Sequence, residues 1–504
     1  MEVTADSAAL KPAPSGTKAE IAARAEPFAA QGDGRGHRDR RKGLFDRFGF
    51  WLFLVTVVLA PIPDGSVAPL WIQIWISTVA ISALAISYRD VSRGAAALIW
   101  GLTSVVAVYV LVVWLQSVSP GPRPLAIWAN ASKVLGIELA PLSSSVRGTP
   151  LIFLGRPLLA ALVLIVAIAI GPQSRRAALV LRAIVGAACL YGAIGLFGLL
   201  ASIDALRPFD QSGALTTFFL NKNTSATYLG TAFLLAFSIL LPSFNAALRE
   251  RRPVLTMFRG AERRRRIAAA FAGFLFLILL PLTLSRAGTM LTVVVALACL
   301  ALKLELRKRA GLWQLVLSIF VLFSFIFAIS GESWYQRHAH LGFDSLGRLD
   351  AYMEMLRASL DHPLLGLGLG SFQHSFPQYR TEDLGLFGQF NIGHSTPVEL
   401  IFEGGYPLAL SVFAFVIVCG SLLIRGALRR PDDPYILAAL LVGLLGLIHT
   451  SFDFSLQIPG YLMTFLVVVG MGIGRAFLPR EERKIMKKKV VRRPTAPEPA
   501  GPLE

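Results

Sequence analysis

Apolar runs of near-bilayer length recur along this chain and leave little room for any other architecture. A helix needs about 20 residues to cross the hydrocarbon core, with a range of roughly 17–25. On that measure spans are expected near 46–62, 67–87, 94–118, 151–170, 177–201, 224–242, 267–284, 287–302, 312–330, 397–424, 435–450 and 460–478. Composition agrees: 54% of residues are hydrophobic, 16% are charged, and the mean hydropathy is +0.61. A soluble protein of 504 residues has too little polar surface to cover that much apolar material. The chain therefore reads as an all-α integral membrane protein of about twelve transmembrane helices. Cys189, Cys299 and Cys419 lie in apolar stretches without CxxC or metal-ligand spacing, which argues against disulfide and zinc chemistry.

Charge orients the spans. The chain has 49 Lys+Arg against 31 Asp+Glu, a formal net charge of +18. Such a surplus can signal nucleic acid, but in a membrane chain it reports which loops are cytoplasmic. With both termini inside, the segments 1–45, 88–93, 171–176, 243–266, 303–311, 425–434 and 479–504, with adjoining span ends, hold about 38 of the 49 basic residues. The runs Arg263–Arg266 and 483-RKIMKKK-489 are then topogenic, and no nucleic-acid partner is expected. Residues 1–45 read as a disordered basic tail rather than a signal peptide, because no small-residue cleavage site follows. Residues 46–478 form the polytopic domain, and 479–504 a second basic tail.

The outward segments are near 119–150, 202–221 and 331–396. The last is too long for a mere connector. Within it, 345-SLGRLDAYMEMLRASLDHPLLG-366 reads as an amphipathic helix with Leu349, Met353, Leu356 and Leu360 on one face, ended by Asp361-His362-Pro363 and Gly366. Such a helix lies on the outer membrane surface or roofs a cavity.

The chemistry-bearing residues cluster on this outward side. Arg286, in 281-PLTLSRAGTM-290, sits between two apolar runs. A charge in lipid costs several kcal/mol, so it either snorkels to the interface or faces a cavity as a fixed cation for phosphate. Arg348 opens the amphipathic helix and Arg357 follows nine residues on; both run against the orientation bias, and a solvated helix face is the plain alternative. His394, in 389-QFNIGHSTPVELIFEGG-405, is the candidate general base, since imidazole accepts a proton near neutral pH; the alternative is a helix-capping histidine. Glu399 and Glu403 follow it and either orient the histidine, bind sugar hydroxyls or serve as structural acids. In 218-FFLNKNTSATYLG-230, Lys222 offers a second phosphate contact, whereas Asn221 and Asn223 bind substrate or cap a helix. His449 and Asp453, in 449-HTSFDFSLQIP-459, form a second imidazole–carboxylate candidate or a packing pair. The run 366-GLGLGSF-372 is not a nucleotide loop, because no βαβ unit can surround it. No outward DxD appears for a metal-bound nucleotide sugar, and no metal or cofactor is expected.

FLNKNTSATYLG, LTLSRAG, GRLDAYMEMLRASLDHPLLGLGLGSF and GHSTPVELIFEGGYPLAL, in that order, resemble the O-antigen ligase and polymerase family over roughly 215–460. The resemblance implies a GT-C-like, metal-independent glycosyltransferase of the bacterial inner membrane, working at the periplasmic face. Its implied donor is an undecaprenyl-diphosphate-linked glycan, and its acceptor a glycan or lipid A core. Membrane lipids and a chain-length regulator complete the implied partners. By resemblance Arg286 and Arg348 engage the diphosphate and His394 is the base. The chain departs from the family at His394-Ser395-Thr396-Pro397, where members often read His-Asn followed by an aromatic. A secondary transporter or lipid-linked glycan flippase is the rival reading; it lacks support from an internal repeat or from acidic residues deep in the spans.

Overall fold

The computed structural model describes residues 32–203, 213–303, 345–381, 384 and 390–479, with side chains from 43 onward and, in the 345 helix, from 348. The expected span 312–330, the first part of the long outward loop and most of both tails lie outside these residues. Among the described residues every regular element is a helix. Hydrocarbon offers backbone N–H and C=O groups no water, so an apolar run is stable there only when its own turns satisfy them.

In chain order the helices are α1 (Gly32–Leu59), α2 (Pro69–Ala85), α3 (Arg93–Val118), α4 (Ala126–Leu135), α5 (Thr149–Phe153), α6 (Gly155–Ile170), α7 (Ser174–Leu200) and α8 (Lys222–Arg249). They continue with α9 (Arg263–Leu282), α10 (Arg286–Lys303), α11 (Ser345–Asp361), α12 (Phe372–Ser375), α13 (Thr396–Arg429), α14 (Pro434–Thr450) and α15 (Pro459–Ala476). Each expected span within the described residues falls on one of them. Among the described residues, seven candidate spans are long and apolar enough to cross a bilayer by length and composition: α3, α5 with α6, α7, α8, α9, α13 and α15. α2, α10 and α14 are apolar but shorter. Leu84, Trp100, Leu200 and Leu302 stand exposed on helix surfaces, an arrangement suited to lipid and not to water. The protein is an integral membrane protein.

Polar residues start these helices. Ser92 caps α3 by accepting from Ala95 N, Asn221 caps α8 through Asn223 N, and Asp433 caps α14 through Tyr435 N. α15 is the buried centre, packed on α6 and α14. Its glycines permit that approach. Gly470 faces Ala167 and Leu164, Gly474 faces the Ile168 carbonyl, and Gly472 faces Ala439, so a Cβ at any of them would collide.

One sequence expectation needs correction, and a second is narrowed. Residues 32–45 are not an irregular tail, because α1 begins at Gly32. Extending an existing helix is cheap once the span has nucleated it, and the Arg and Lys of this stretch are good helix formers. α11 forms where expected, but its inward face is Ala351, Met355, Ala358 and Ser359; Leu349, Met353 and Leu360 are exposed. The leucine stripe therefore faces outward, which fits the first of the two expected placements, on a membrane surface, and not the second. Small residues let α11 settle closely onto the protein, and the apolar stripe is left for a surrounding that need not be water.

At the end of α15 farthest from α11, Arg475 is buried against Asp433, with Nε to Oδ2 at 2.9 Å and Nη2 to Oδ2 at 2.7 Å. It lies over the Tyr435 ring at 4.4 Å and donates to Ser174 Oγ at 3.1 Å. This clasp joins α7, α14 and α15. Arg475→Ala leaves the buried Asp433 carboxylate with only the more distant Arg430, whose Nε lies 3.5 Å from Oδ2, and removing one partner of a buried ion pair costs up to roughly 3–5 kcal/mol. The variant should unfold at a clearly lower temperature in detergent, and Asp433→Asn in the same background, which keeps the cap, should recover part of the loss. An unchanged midpoint would refute the clasp.

Candidate functional site

The N-terminal ends of α8, α10 and α13 and the C-terminal end of α14 meet beside α11. Short polar segments at these ends do the joining. Asn221 caps α8 and leaves the Asn223 side chain free to turn outward. Asn223 Oδ1 accepts from Ser285 Oγ at 2.8 Å, and its amide donates to the Asp453 carboxylate. Asp453 is 1% exposed and also accepts from Phe454 N at 2.5 Å. Burial pushes its carboxyl up to about 6, against the pull of those donors and of the Arg348 charge. Arg286 follows Ser285 directly as the first residue of α10, and its charge acts on Lys222.

Arg348 reaches in from α11. Its Nη1 donates to the Phe452 carbonyl at 3.4 Å, and its charge acts on Asp453, His394 and His449. His394 takes a left-handed backbone (φ 54°) just before α13, and its ring meets Phe454 edge-on at 5.2 Å. Tyr352 OH donates to its carbonyl at 2.8 Å, so α11 holds the histidine's backbone as well as supplying the arginine. Nδ1 of His394 is buried with no hydrogen-bond partner among the described residues. Desolvation first, and Arg348 second, lower the imidazole to about 4, so it is neutral at neutral pH. His449 is fully buried; its Nδ1 lies 3.3 Å from both Thr227 Oγ1 and Ser455 Oγ, and its Nε2 has no hydrogen-bond partner among the described residues.

The acids of α13 hold backbone. Glu399 accepts from Gly393 N and from Gln457 Nε2, both at 2.9 Å, which fixes the chain one residue ahead of His394. Both Glu403 oxygens are occupied, Oε2 by Gly370 N at 2.9 Å and Oε1 by Phe372 N at 2.8 Å. The glycine-rich run thus docks on α13. Gly366, Gly368 and Gly370 all have positive φ, and each lies where a Cβ would strike Glu403 backbone, Ser144 or Phe153. Gly405, also at positive φ, breaks α13 so that Tyr406 N can reach Pro363 O at 2.8 Å. Gln116, fully buried near the end of α3, completes the buckle by donating to Leu365 O and Glu403 O and accepting from Leu369 N.

Of the sequence candidates, His394, Arg348, Asp453, His449, Asn223 and Glu399 fall in one contiguous group. Arg286 and Lys222 adjoin it through Ser285 and Asn223. Asn221 is a helix cap, and Glu403 is committed to the glycine-rich loop. Arg357 is exposed and paired with Glu354 at 2.6 Å, away from the group. Ser285, Tyr352, Gln457 and Gln116 were not singled out. Gln116 carried a signal, a lone amide inside the apolar run 94–118. Among the described residues no three His, Cys, Asp or Glu side chains gather as metal ligands.

Residues 271–413 match the family model described as O-antigen ligase. This stretch is an O-antigen ligase family domain. The domain contains Arg286, Arg348, His394, Glu399 and Glu403, whereas Lys222, Asn223, His449 and Asp453 come from the helices that flank it. No curated protein matches the chain. The match supports, in general terms, a membrane enzyme of glycan transfer.

Replacing Glu403 by Gln would leave one oxygen for two backbone N–H groups. A buried donor without its acceptor costs about 1–3 kcal/mol. The variant should melt earlier and be cut faster by protease within 363–372; wild-type resistance would show that the loop does not depend on this carboxylate.

Proposed function

We propose that the chain transfers a glycan from undecaprenyl diphosphate to a sugar hydroxyl at the periplasmic face of the bacterial inner membrane, as an O-antigen ligase or a polysaccharide polymerase. In this reading about twelve spans, arranged in a GT-C-like way with both termini cytoplasmic, carry the site on their periplasmic ends. The observation that carries the proposal is a buried imidazole, His394, whose Nδ1 has no hydrogen-bond partner among the described residues, within reach of the Arg348 charge inside the stretch that matches the ligase family.

The surroundings suit a diphosphate. Three helix N-termini, those of α8, α10 and α13, end here, and each brings partial positive charge that favours an anion. Arg286, Arg348 and Lys222 add full charges on the same side. The acceptor hydroxyl oxygen attacks the anomeric carbon as the carbon–oxygen bond to the diphosphate breaks, and His394 takes the hydroxyl proton. Undecaprenyl diphosphate leaves with the bonding pair, its charge stabilised by the arginines rather than by a metal, and the anomeric centre inverts. A site at helix ends also separates this reading from a transporter, whose substrate sits near mid-membrane between broken helices.

Loss of one charge-stabilising donor typically costs about 10²–10³ in rate, and loss of a general base about 10²–10⁴. Arg286→Ala, Arg348→Ala and His394→Ala should therefore each slow transfer from a polyprenyl-diphosphate glycan by purified enzyme at least about 100-fold at normal protein level. In cells, each should reproduce the surface-glycan pattern of the gene deletion on a gel. Lipid A core without polymer identifies a ligase, single repeats on core a polymerase. Wild-type glycans in all three variants would overturn the assignment.

The pH dependence carries a definite sign. The base works only unprotonated, so kcat/KM should stay level as pH falls and drop only near about 4, the value set by burial and Arg348. Arg348→Gln removes a positive neighbour and lets the imidazole rise toward 6.5. The acid limb of its residual activity should then begin at higher pH than in wild type. Superimposable acid limbs would exclude the Arg348–His394 coupling.

A further inference from the structure

A cavity of about 750 Å³ lies at the opposite end of the α8–α9 hairpin from the candidate site, lined by residues that include Leu255, Phe258, Arg259, Arg263, Ile267 and Phe271. Its volume falls within the usual range for ligand pockets, about 300–1,000 Å³. The cavity is built by tertiary contacts. The 3-10 turn Val254–Phe258 is held against α9 by Arg266 Nη1, which donates to the Met257 carbonyl at 2.8 Å, and Met257 is buried beneath. Arg265 and Arg266 also pair with Glu262, at 3.5 and 3.8 Å, so the nearby acid is already engaged. Arg259 and Arg263 stand exposed at the rim and meet no acidic side chain among the described residues.

The wall has the opposite character. Leu255 is 77% exposed and Phe271 69% exposed, values that suit contact with lipid chains. Arg263 begins α9, and Phe271 lies eight residues along, about 12 Å deeper at 1.5 Å per residue. The helix has 20 residues and so is about 30 Å long, one hydrocarbon thickness. Its first arginine is then at head-group depth and Phe271 deep in the same leaflet, beside the lower acyl chain. Cationic rim, apolar wall and spacing match one amphiphile.

We propose that this cavity binds a single anionic phospholipid, with the phosphate between Arg259 and Arg263 and an acyl chain along Ile267 and Phe271. Basic pockets at helix ends recognise acidic head groups in this way, beyond the general attraction of a positive surface. The site is independent of glycan transfer, about 30 Å from α10's first residue along α9.

Native mass spectrometry of the full chain in neutral detergent tests it, with phosphatidylglycerol as the probe and phosphatidylcholine as the neutral comparison. Wild type should retain one phosphatidylglycerol in preference to phosphatidylcholine. The double variant R259A/R263A should bind it roughly thirty-fold more weakly, from about 1 kcal/mol for each arginine at an anionic head group. Phe271→Ser should weaken retention through the wall alone, with both arginines intact. R251A/R252A, which removes two exposed arginines outside the cavity, should bind as wild type does. Unchanged unfolding temperatures confirm that each variant is folded. Three outcomes overturn the proposal: R259A/R263A and Phe271→Ser both binding like wild type, equal loss in R251A/R252A, or displacement of the lipid by excess inorganic phosphate.

Discussion

The Asp453 carboxylate is where three stretches of chain, far apart in sequence, become one surface. Asn223 at the head of α8 donates to it, Phe454 N donates to it, and the Arg348 charge from α11 acts on it. Asn223 in turn carries Ser285, and with it the start of α10. A buried carboxylate is costly unless donors surround it. That cost is what makes the arrangement specific: each element that withdrew would leave an unsatisfied acid in a dry place. The helices could pack in several ways by hydrophobic area alone, because lipid tails are as apolar as leucine. Polar groups at their ends choose among those packings.

This explains which parts of the molecule were legible in the sequence. Helix positions were, since hydrocarbon accepts only long apolar runs, and the caps at Ser92, Asn221 and Asp433 mark three of the starts. Arg286, Arg348 and His394 stood out because a charge or an imidazole beside lipid has few tolerable roles. The buried face of α11 was not legible. In water an apolar stripe points inward; at a membrane surface Leu349, Met353 and Leu360 have a second acceptable surrounding, and Ala351, Met355 and Ala358 make the closer contact. The glycine-rich run was equally opaque, because its conformation answers to Glu403, more than 30 residues on, and to Gln116 in another helix.

The buckle formed by Gln116, Glu403 and residues 365–372 has a consequence for the site. It fixes the C-terminal end of α11 to α13 and α3, while Tyr352 fixes the middle of α11 to His394. Arg348 stands at the other end of the same helix. A helix anchored at two points delivers the guanidinium to a set position, which would matter in the proposed reaction because a misplaced charge near developing negative charge loses most of its effect. The acids of α13 are best understood as such anchors, with Glu399 holding the histidine's own approach.

The low basicity of His394 then becomes informative. A base that titrates near about 4 is always neutral at neutral pH, yet it has little driving force to take a proton. Its second cause of depression is Arg348, the residue proposed to bind the donor's diphosphate. Binding a dianion there would offset the guanidinium charge and place negative charge near the imidazole, and both changes raise its pKa. Donor binding would thus increase the strength of the base at the moment an acceptor hydroxyl can be used. In the proposed reaction the same histidine would, before the donor arrives, be a weak base toward water, held so by burial and by the cationic arginine.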